Sequence, residues 1–249
     1  MGLAVITYDS PDILKRFADE RGITFPVLSD AGSAIIKSYG ILNTGNKEGT
    51  RAYGVPYPGT FMLDRNGTVV ARYFEEAYQE RNTVSSILTR QGNGVGNGPA
   101  QTVRTSHVTV QAAASDGVVS PGSRFVLSLE VTPRKGMHVY APGKHTYQTV
   151  TFVPNAQPWL KVYPLKYPAS EIYHFVPLDE RVEVYQKPFT LVQDLTVLAT
   201  PEVQKLLAGQ TTLTVAGQLE DQACDDKVCY APTKVPISFT LDLTPLLRP

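Results

Sequence analysis

The chain has 249 residues, enough for about two domains of roughly 100–150 residues each, and 42% of them are hydrophobic. Its 23 basic and 23 acidic residues cancel to a formal charge of zero, which argues against a nucleic-acid-binding surface or a polybasic membrane anchor. No apolar run approaches the ~18 residues of a transmembrane helix. We therefore expect no membrane span, and we find no signal-peptide pattern in this chain.

The first 90 residues predict an α/β domain in which helices cover a mixed sheet. A buried strand over residues 3–8 precedes a helix that begins after Ser10 and stops at Gly22, a residue suited to positive φ. Further predicted elements are strands over residues 25–28, 60–63 and 68–74, a helix around residues 34–39 capped by Ser29 or Asp30, and a last helix capped by Asn82. Because a domain rarely opens inside a core strand, we expect the natural domain to be longer than this sequence.

Residues 91–102 are rich in glycine and predict a flexible linker. After this segment the hydrophobic periodicity changes to two, as in the run Phe125, Leu127, Leu129 and Val131. Many short alternating strands separated by Pro- and Gly-rich turns predict an all-β, immunoglobulin-like sandwich over residues 103–249. Within it, only residues 200–208 look helical.

Both cysteines of the chain lie in the short segment Cys224-Asp225-Asp226-Lys227-Val228-Cys229, between two predicted strands. Near a hairpin loop, two Cβ atoms can reach the ~4 Å separation that a disulfide needs. Closing so short a loop stabilises the fold little through chain entropy, so the pair suits a redox switch better than a structural staple.

Other interpretations of the two cysteines stay open at this point. They could form a structural disulfide or remain two unrelated thiols. Two cysteines supply only half of a tetrahedral zinc shell, so a zinc site is disfavoured. Met137, His138 and His145 are an alternative set of copper ligands, although the four histidines of the chain are scattered and each is more often an ordinary side chain. We therefore expect no metal and no cofactor.

Three segments within residues 3–90 carry a resemblance to a known family: LAVITYDSPDILKRFADERGITFPVLSD, SAIIKSYGIL and VPYPGTFMLDRNGTVVARYF. They resemble the later part of a peroxiredoxin or thioredoxin-like domain of the alkyl hydroperoxide reductase/thiol-specific antioxidant type. The resemblance implies a thioredoxin-like fold and places Pro58 where that fold has a cis-proline, so it implies a cis Tyr57–Pro58 bond.

The same resemblance brings out two departures. The family's active-site cysteine motif would precede Leu3, and residues 1–90 contain no cysteine. Peroxidases also carry an arginine at the position of Pro58. Because peroxidase chemistry needs a thiolate nucleophile, we expect no peroxidase activity from this N-terminally truncated domain.

Residues from about 103 to 243 resemble the N-terminal immunoglobulin-like domain of the thiol:disulfide interchange protein DsbD. The resemblance depends on KGMHVY at residues 135–140, on Val184-Tyr185 before a strand, and on the ending DQACDDKVCYAPTKVPISFTL. It implies an electron-accepting cysteine pair shielded by an aromatic cap. The matching site residues are Cys224, Cys229, Tyr230 and Pro232, with Tyr173 and Phe175 as candidates for the cap.

These patterns together predict an extracytoplasmic, periplasmic redox protein that exchanges thiols and disulfides with partner proteins. Cys224 and Cys229 would cycle between dithiol and disulfide, and Cys229 is the favoured point of attack because Tyr230 and Pro232 would fix the backbone beside it. Whether the chain is itself an oxidoreductase enzyme stays open. The alternatives are a non-catalytic scaffold with a structural disulfide and the C-terminal fragment of a thiol peroxidase.

Overall fold

The computed structural model describes residues 2–74, 80–92, 96–175 and 179–245. The chain divides into two compact units, Met1–Tyr78 and Gln79–Pro249. The strands are β1 (Val5–Thr7), β2 (Val27–Ser29), β3 (Gly59–Leu63), β4 (Val69–Phe74), β5 (Arg81–Asn82), β6 (Ala100–Arg104), β7 (Val108–Ala114), β8 (Val118–Val119), β9 (Ser123–Pro133), β10 (His138–Tyr140), β11 (Thr151–Pro154), β12 (Leu160–Val162), β13 (Glu171–Phe175), β14 (Glu180–Tyr185), β15 (Phe189–Val197), β16 (Thr212–Asp221), β17 (Ala223–Cys224) and β18 (Thr233–Leu243). The helices are α1 (Pro11–Arg21), α2 (Ala34–Ser38), α3 (Val84–Arg90) and α4 (Pro201–Leu206).

The first unit contains the predicted β–α–β order and the predicted hairpin. Strands β1 and β2 pair in parallel across α1, and β3 pairs with β4 in antiparallel fashion. Helix α1 ends at Gly22, whose φ of 61° returns its N–H to the helix carbonyls, as the sequence predicts. The described strands form two separate two-stranded sheets, so the predicted single mixed sheet is not seen in this part of the chain.

In the first unit the structure selects one of two predicted helix caps and corrects one predicted peptide bond. Asp30, rather than Ser29, supports the start of α2, because its carboxylate accepts from the N–H groups of Ala34 and Ile36 at 3.0 and 2.8 Å. The predicted cis bond at Tyr57–Pro58 is wrong, since every described peptide bond is trans. Trans is the favoured form of a bond that precedes proline. The N–H of Tyr57 donates to the carbonyl of Ile41 at 2.7 Å.

The second unit is a β-sandwich, as predicted. One sheet has the order β12-β15-β9-β7-β6, with β5 also paired to β9, and the facing sheet has the order β11-β16-β18-β8. A further four-stranded sheet, β13-β14-β10-β17, carries the first cysteine. The alternating hydrophobic residues of these strands fill one core, which includes Phe125, Leu127, Leu129, Leu191, Leu195, Leu213, Leu219, Ile237, Phe239 and Leu241.

The segment from Glu80 to Arg90 belongs to the second unit, whereas the sequence assigned its helix to the first domain. Strand β5 pairs in parallel with β9, and α3 follows it, capped by the Thr83 hydroxyl rather than by Asn82. Arg90 donates from Nε to the buried carboxylate of Asp194 at 2.7 Å. Hydrophobic periodicity predicts that a helix forms, but it does not predict which hydrophobic core the helix packs on. Here the bond from Arg90 to the buried Asp194 carboxylate joins the helix to the second unit.

The predicted linker differs from expectation where it is described. Residues 93–95 lie outside the described part, but Gly96 and Gly98 lie against the backbone of the sandwich. A Cβ at Gly96 would come within 1.9 Å of the Ser115 carbonyl oxygen, so glycine here allows close approach rather than flexibility. The Pro99 carbonyl accepts from Ala114 at 2.9 Å, and β6 begins at once with Ala100.

Candidate redox site

The two cysteines form a disulfide, and the two residues differ in exposure. Cys224 lies on β17 and is 1% exposed, whereas Cys229 lies on the exposed side of the loop that follows. Their Cα atoms are 4.1 Å apart, and the two residues form an isolated antiparallel bridge. Cys229 is therefore the more accessible of the two residues, while Cys224 is covered by the protein.

Hydrogen bonds within the loop fix its conformation. The Asp225 carboxylate accepts from the backbone N–H groups of Lys227 and Val228, both at 2.7 Å, and the Asp225 N–H donates to the Val228 carbonyl at 3.0 Å. Two backbone donors favour the charged form, so they lower the pKa of Asp225. The Tyr230 hydroxyl donates to the other carboxylate oxygen of Asp225 at 3.0 Å. These bonds shape the turn without involving the sulfurs.

Tyr140 lies directly beneath the disulfide. Its hydroxyl oxygen is 3.0 Å from Sγ of Cys224 and 3.4 Å from Sγ of Cys229. Because disulfide sulfurs carry no proton, the phenol is the donor, and the nearer sulfur belongs to Cys224. Burial is the first cause that raises the pKa of Tyr140 well above its usual value, so the hydroxyl keeps its proton wherever thiolates form.

The loop after β10 covers the other face of Tyr140. The Tyr147 ring stacks on the Tyr140 ring with centroids 4.1 Å apart and planes 5° apart, and its hydroxyl donates to Glu180 at 2.8 Å. His145 lies beside both rings, and its Nε2–H donates to the Ala141 carbonyl at 2.7 Å. This packing holds the phenol of Tyr140 at one place relative to the sulfurs.

The hairpin β13–β14 reaches the disulfide loop through Tyr173. The Tyr173 hydroxyl donates to Asp226 at 2.9 Å, and its ring lies on the ring of His138 with centroids 4.5 Å apart. His138 is 3% exposed and is the cross-strand partner of Cys224 in the β10–β17 pair. Burial lowers the pKa of His138, while Asp226 and Asp225 act in the opposite direction.

A third aromatic pair lies behind Cys229. The His107 ring stacks on the Tyr230 ring with centroids 4.3 Å apart.

Asp221, which is fully buried, accepts from the Thr233 hydroxyl at 2.7 Å, and its other oxygen has no hydrogen-bond partner within the described chain. Burial is the main cause that raises the pKa of Asp221, and both the Thr233 bond and His107 oppose that effect.

Most of the residues singled out from the sequence meet at this site. Tyr230 adjoins Cys229, and Tyr173 is the cap candidate that touches the loop. No described contact joins Phe175 to the disulfide, and Pro232 is exposed. Pro58 lies in the first unit, whereas the disulfide lies in the second.

Three histidines considered ordinary side chains in the sequence lie around the disulfide: His107, His138 and His145. A signal for one of them was present. In the motif ending His138-Val139-Tyr140, two polar rings alternate with valine, so both point to the same face of a strand.

The described residues hold no group of three side chains placed to bind a metal. No helix in the described ranges is long and apolar enough to cross a membrane.

Comparison with known proteins gives a family match for part of the first unit. Residues 2–72 match the AhpC/TSA family. Two curated relatives of Mycobacterium tuberculosis, "Putative peroxiredoxin MT2597" and "Putative peroxiredoxin Rv2521", are each 32% identical over 69 residues. Those residues are 28% of this chain and 43% of each relative, so the chain spans about two fifths of the length of the curated relatives it matches.

Solved structures give more distant likenesses. The N-terminal periplasmic domain of ScsB from Proteus mirabilis is 17% identical, with 60% of this chain and 52% of that chain covered and a TM-score of 0.39. The reduced N-terminal domain of DsbD from Neisseria meningitidis is 14% identical, with 47% and 80% covered and a TM-score of 0.32. TM-scores this far below 0.5 decide neither the fold nor the function of this chain.

Proposed function

We propose that the second unit is a thiol–disulfide exchange module that works through Cys224 and Cys229. The observation that carries this proposal is the asymmetry of the bond, with Cys229 exposed and Cys224 buried against a phenol donor. An exchange site needs one sulfur that a partner can attack and a second that can leave as a stabilised thiolate. A purely structural bond needs neither property.

The chemistry follows from this geometry. A thiolate of a partner dithiol attacks Sγ of Cys229 and forms a mixed disulfide, while the Cys224–Cys229 bond breaks and its electron pair goes to Cys224. The Tyr140 hydroxyl, 3.0 Å from Sγ of Cys224, donates a hydrogen bond to that leaving thiolate. The partner's second thiolate then attacks the partner sulfur of the mixed disulfide and releases Cys229. Two electrons have moved to this chain, and the partner is left as a disulfide.

For the first unit we propose a thioredoxin-like fold without peroxidase activity of its own. The match of residues 2–72 to the AhpC/TSA family supports the fold. Residues 1–90 contain no cysteine, and a peroxidatic step requires a thiolate. In this proposal Pro58 shapes the backbone and takes no part in redox chemistry.

We also propose an extracytoplasmic location, for which the periplasm is the natural compartment. Disulfides persist in oxidising compartments and are kept reduced in the cytosol. Both cysteines of this chain are joined in one short-loop disulfide. The partners would then be other thiol–disulfide proteins of the same compartment.

The test is a redox titration of the folded chain against glutathione and thioredoxin-type couples, with alkylation of free thiols followed by mass. We expect a reduction potential above about −300 mV, the range of labile disulfides. Cys224→Ser should leave Cys229 free to trap a partner as a mixed disulfide. If the bond stays oxidised in the folded protein across the whole titration, the exchange function is refuted and the disulfide has the structural, scaffold role.

A further inference from the structure

We propose that His138 is the proton acceptor that keeps Cys224 as a thiolate in the reduced protein, so that the two form a buried thiolate–imidazolium pair. This inference deepens the proposed exchange function and rests on it. In chemical terms, the Cys224 S–H bond breaks and an N–H bond forms on the His138 ring. No electron moves in this step, and the net charge of the pair stays zero.

His138 and Cys224 lie side by side on neighbouring strands. His138 and Cys224 are direct partners in the antiparallel pairing of β10 with β17, so their side chains project from the same face of the sheet. Tyr140, two residues after His138, lies on that face too and contacts the sulfur. Both His138 and Cys224 are almost fully buried, at 3% and 1% exposure. The imidazole and the sulfur therefore lie on one buried face of this strand pair.

A buried Cys224 thiolate needs a positive charge nearby. Burial alone raises the pKa of a thiol, because it disfavours the charged form, and a thiol that ionises poorly is a poor leaving group. The Asp225 and Asp226 carboxylates lie close enough to act on His138, and negative charges there further disfavour a thiolate nearby. Tyr140 supplies a hydrogen bond but no charge. A cation in register with Cys224 is what the site requires, and His138 is the described base at that position.

The groups that face His138 explain why its charge would follow the redox state. On its own strand it faces Tyr140, from β13 it faces Tyr173, from the disulfide loop it faces Asp225 and Asp226, and across the strand pair it faces Cys224. In the disulfide form, burial favours the neutral ring. A thiolate at Cys224 adds a third negative charge, which favours the imidazolium form.

The experiment measures the titration of Cys224 alone, in the full chain carrying Cys229→Ala. Thiolate absorbance and the rate of alkylation by iodoacetamide are followed against pH. We expect Cys224 to titrate below the value of about 8.5 for a free cysteine. Adding His138→Gln should raise that pKa by about one unit or more, which is about tenfold less thiolate at neutral pH. The matched control is His174→Gln, which removes an imidazole that pairs with the exposed Asp179 and has no described contact with Tyr140 or the sulfurs, and which should leave the titration of Cys224 unchanged.

A second measurement avoids any loss of folding from a buried substitution. In the unmodified chain, NMR titration of the histidine rings should show the pKa of His138 rising by about one unit or more on reduction of the disulfide. Equal His138 titration in both redox forms, or equal Cys224 titration with and without His138, overturns the pairing. The Cys229→Ala readout needs no exchange reaction. A disulfide that resists reduction would therefore refute the exchange function, while the Cys224 titration would still decide the role of His138.

Discussion

Tyr173 and Asp226 are 53 residues apart in the chain and are joined by a hydrogen bond of 2.9 Å. The bond links the hairpin β13–β14 to the disulfide loop, and the same tyrosine ring covers His138. One side chain therefore contacts both the disulfide loop and the buried His138.

Removal of the Tyr173 ring should speed reduction of the disulfide. We expect Tyr173→Ala to raise the rate of reduction by a small thiol several-fold, because the ring that covers His138 and the Cys224 cluster is lost. Tyr173→Phe should change the rate less and the stability by about 1 kcal/mol or less, since it removes one exposed hydrogen bond. Ile172→Ala is the control, because Ile172 is on the same strand and points the other way. Equal rates in all three variants would show that Tyr173 does not shield the bond.

Loss of the Tyr140 hydroxyl should slow exchange. Tyr140→Phe keeps the ring stack with Tyr147 but removes the donor to Cys224, so the leaving thiolate loses a charge-assisted hydrogen bond. We expect the second-order rate constant for reduction by a dithiol to fall by about tenfold, which corresponds to about 1.4 kcal/mol. Tyr147→Phe is the matched control, because its hydroxyl binds Glu180 and not sulfur. A rate for Tyr140→Phe equal to that of the control would argue against this role.

The sequence predicted the sandwich well, because hydrophobic residues recur at every second position of its strands and Phe125, Leu127, Leu129 and Val131 are all fully buried. It also predicted the disulfide loop from two flanking strands. It could not assign helix α3, because a seven-residue amphipathic helix fits either core. The sequence named Tyr230 and Tyr173, but it missed His107 and Tyr140, because these two reach Tyr230 and Cys224 only through the pairing of distant strands.

A fragment that starts at Gln79 should be more stable than one that starts at Val103. The shorter fragment loses β5, α3 and the first part of β6, and with Arg90 it loses a partner of the buried Asp194 carboxylate. We expect a difference in the free energy of unfolding of at least about 3 kcal/mol by urea denaturation, the scale for breaking a buried ion pair. Equal midpoints for the two fragments would restore the boundary predicted from the sequence.

Asp194 should make the second unit sensitive to acid. Burial opposes its ionisation, but the Lys166 ammonium at 2.7 Å and the Arg90 guanidinium outweigh that effect, and the pKa of Asp194 is lowered. A lowered pKa in the folded state stabilises the fold above the unfolded value of about 3.9, and this stability is lost as the pH falls through the folded value. Asp194→Asn should cost about 3–5 kcal/mol at neutral pH and flatten the acid limb of a stability–pH curve. As a control, Lys234→Ala, which breaks a largely exposed pair with Glu220, should cost about 1 kcal/mol or less.

Asp221 should have the opposite pH dependence. Its pKa is raised by burial, so its contribution to stability is present below the unfolded value of about 3.9 and is lost as the pH rises through the folded value. Asp221→Asn removes this titration and keeps an acceptor for the Thr233 hydroxyl. Chemical denaturation above pH ~4 should show stability falling less with pH in the variant than in the unmodified chain. Parallel curves would mean that Asp221 does not titrate in this range.

The turn held by Asp225 has a kinetic consequence. Because backbone and carboxylate bonds shape residues 225–228 independently of the sulfurs, reduction leaves the two thiols close together. Each thiol then meets the other at a high effective molarity, so a mixed disulfide with a partner is cleaved intramolecularly almost as soon as it forms. Covalent complexes with partners should accordingly be too short-lived to isolate from the unmodified chain and should accumulate only when one cysteine is removed.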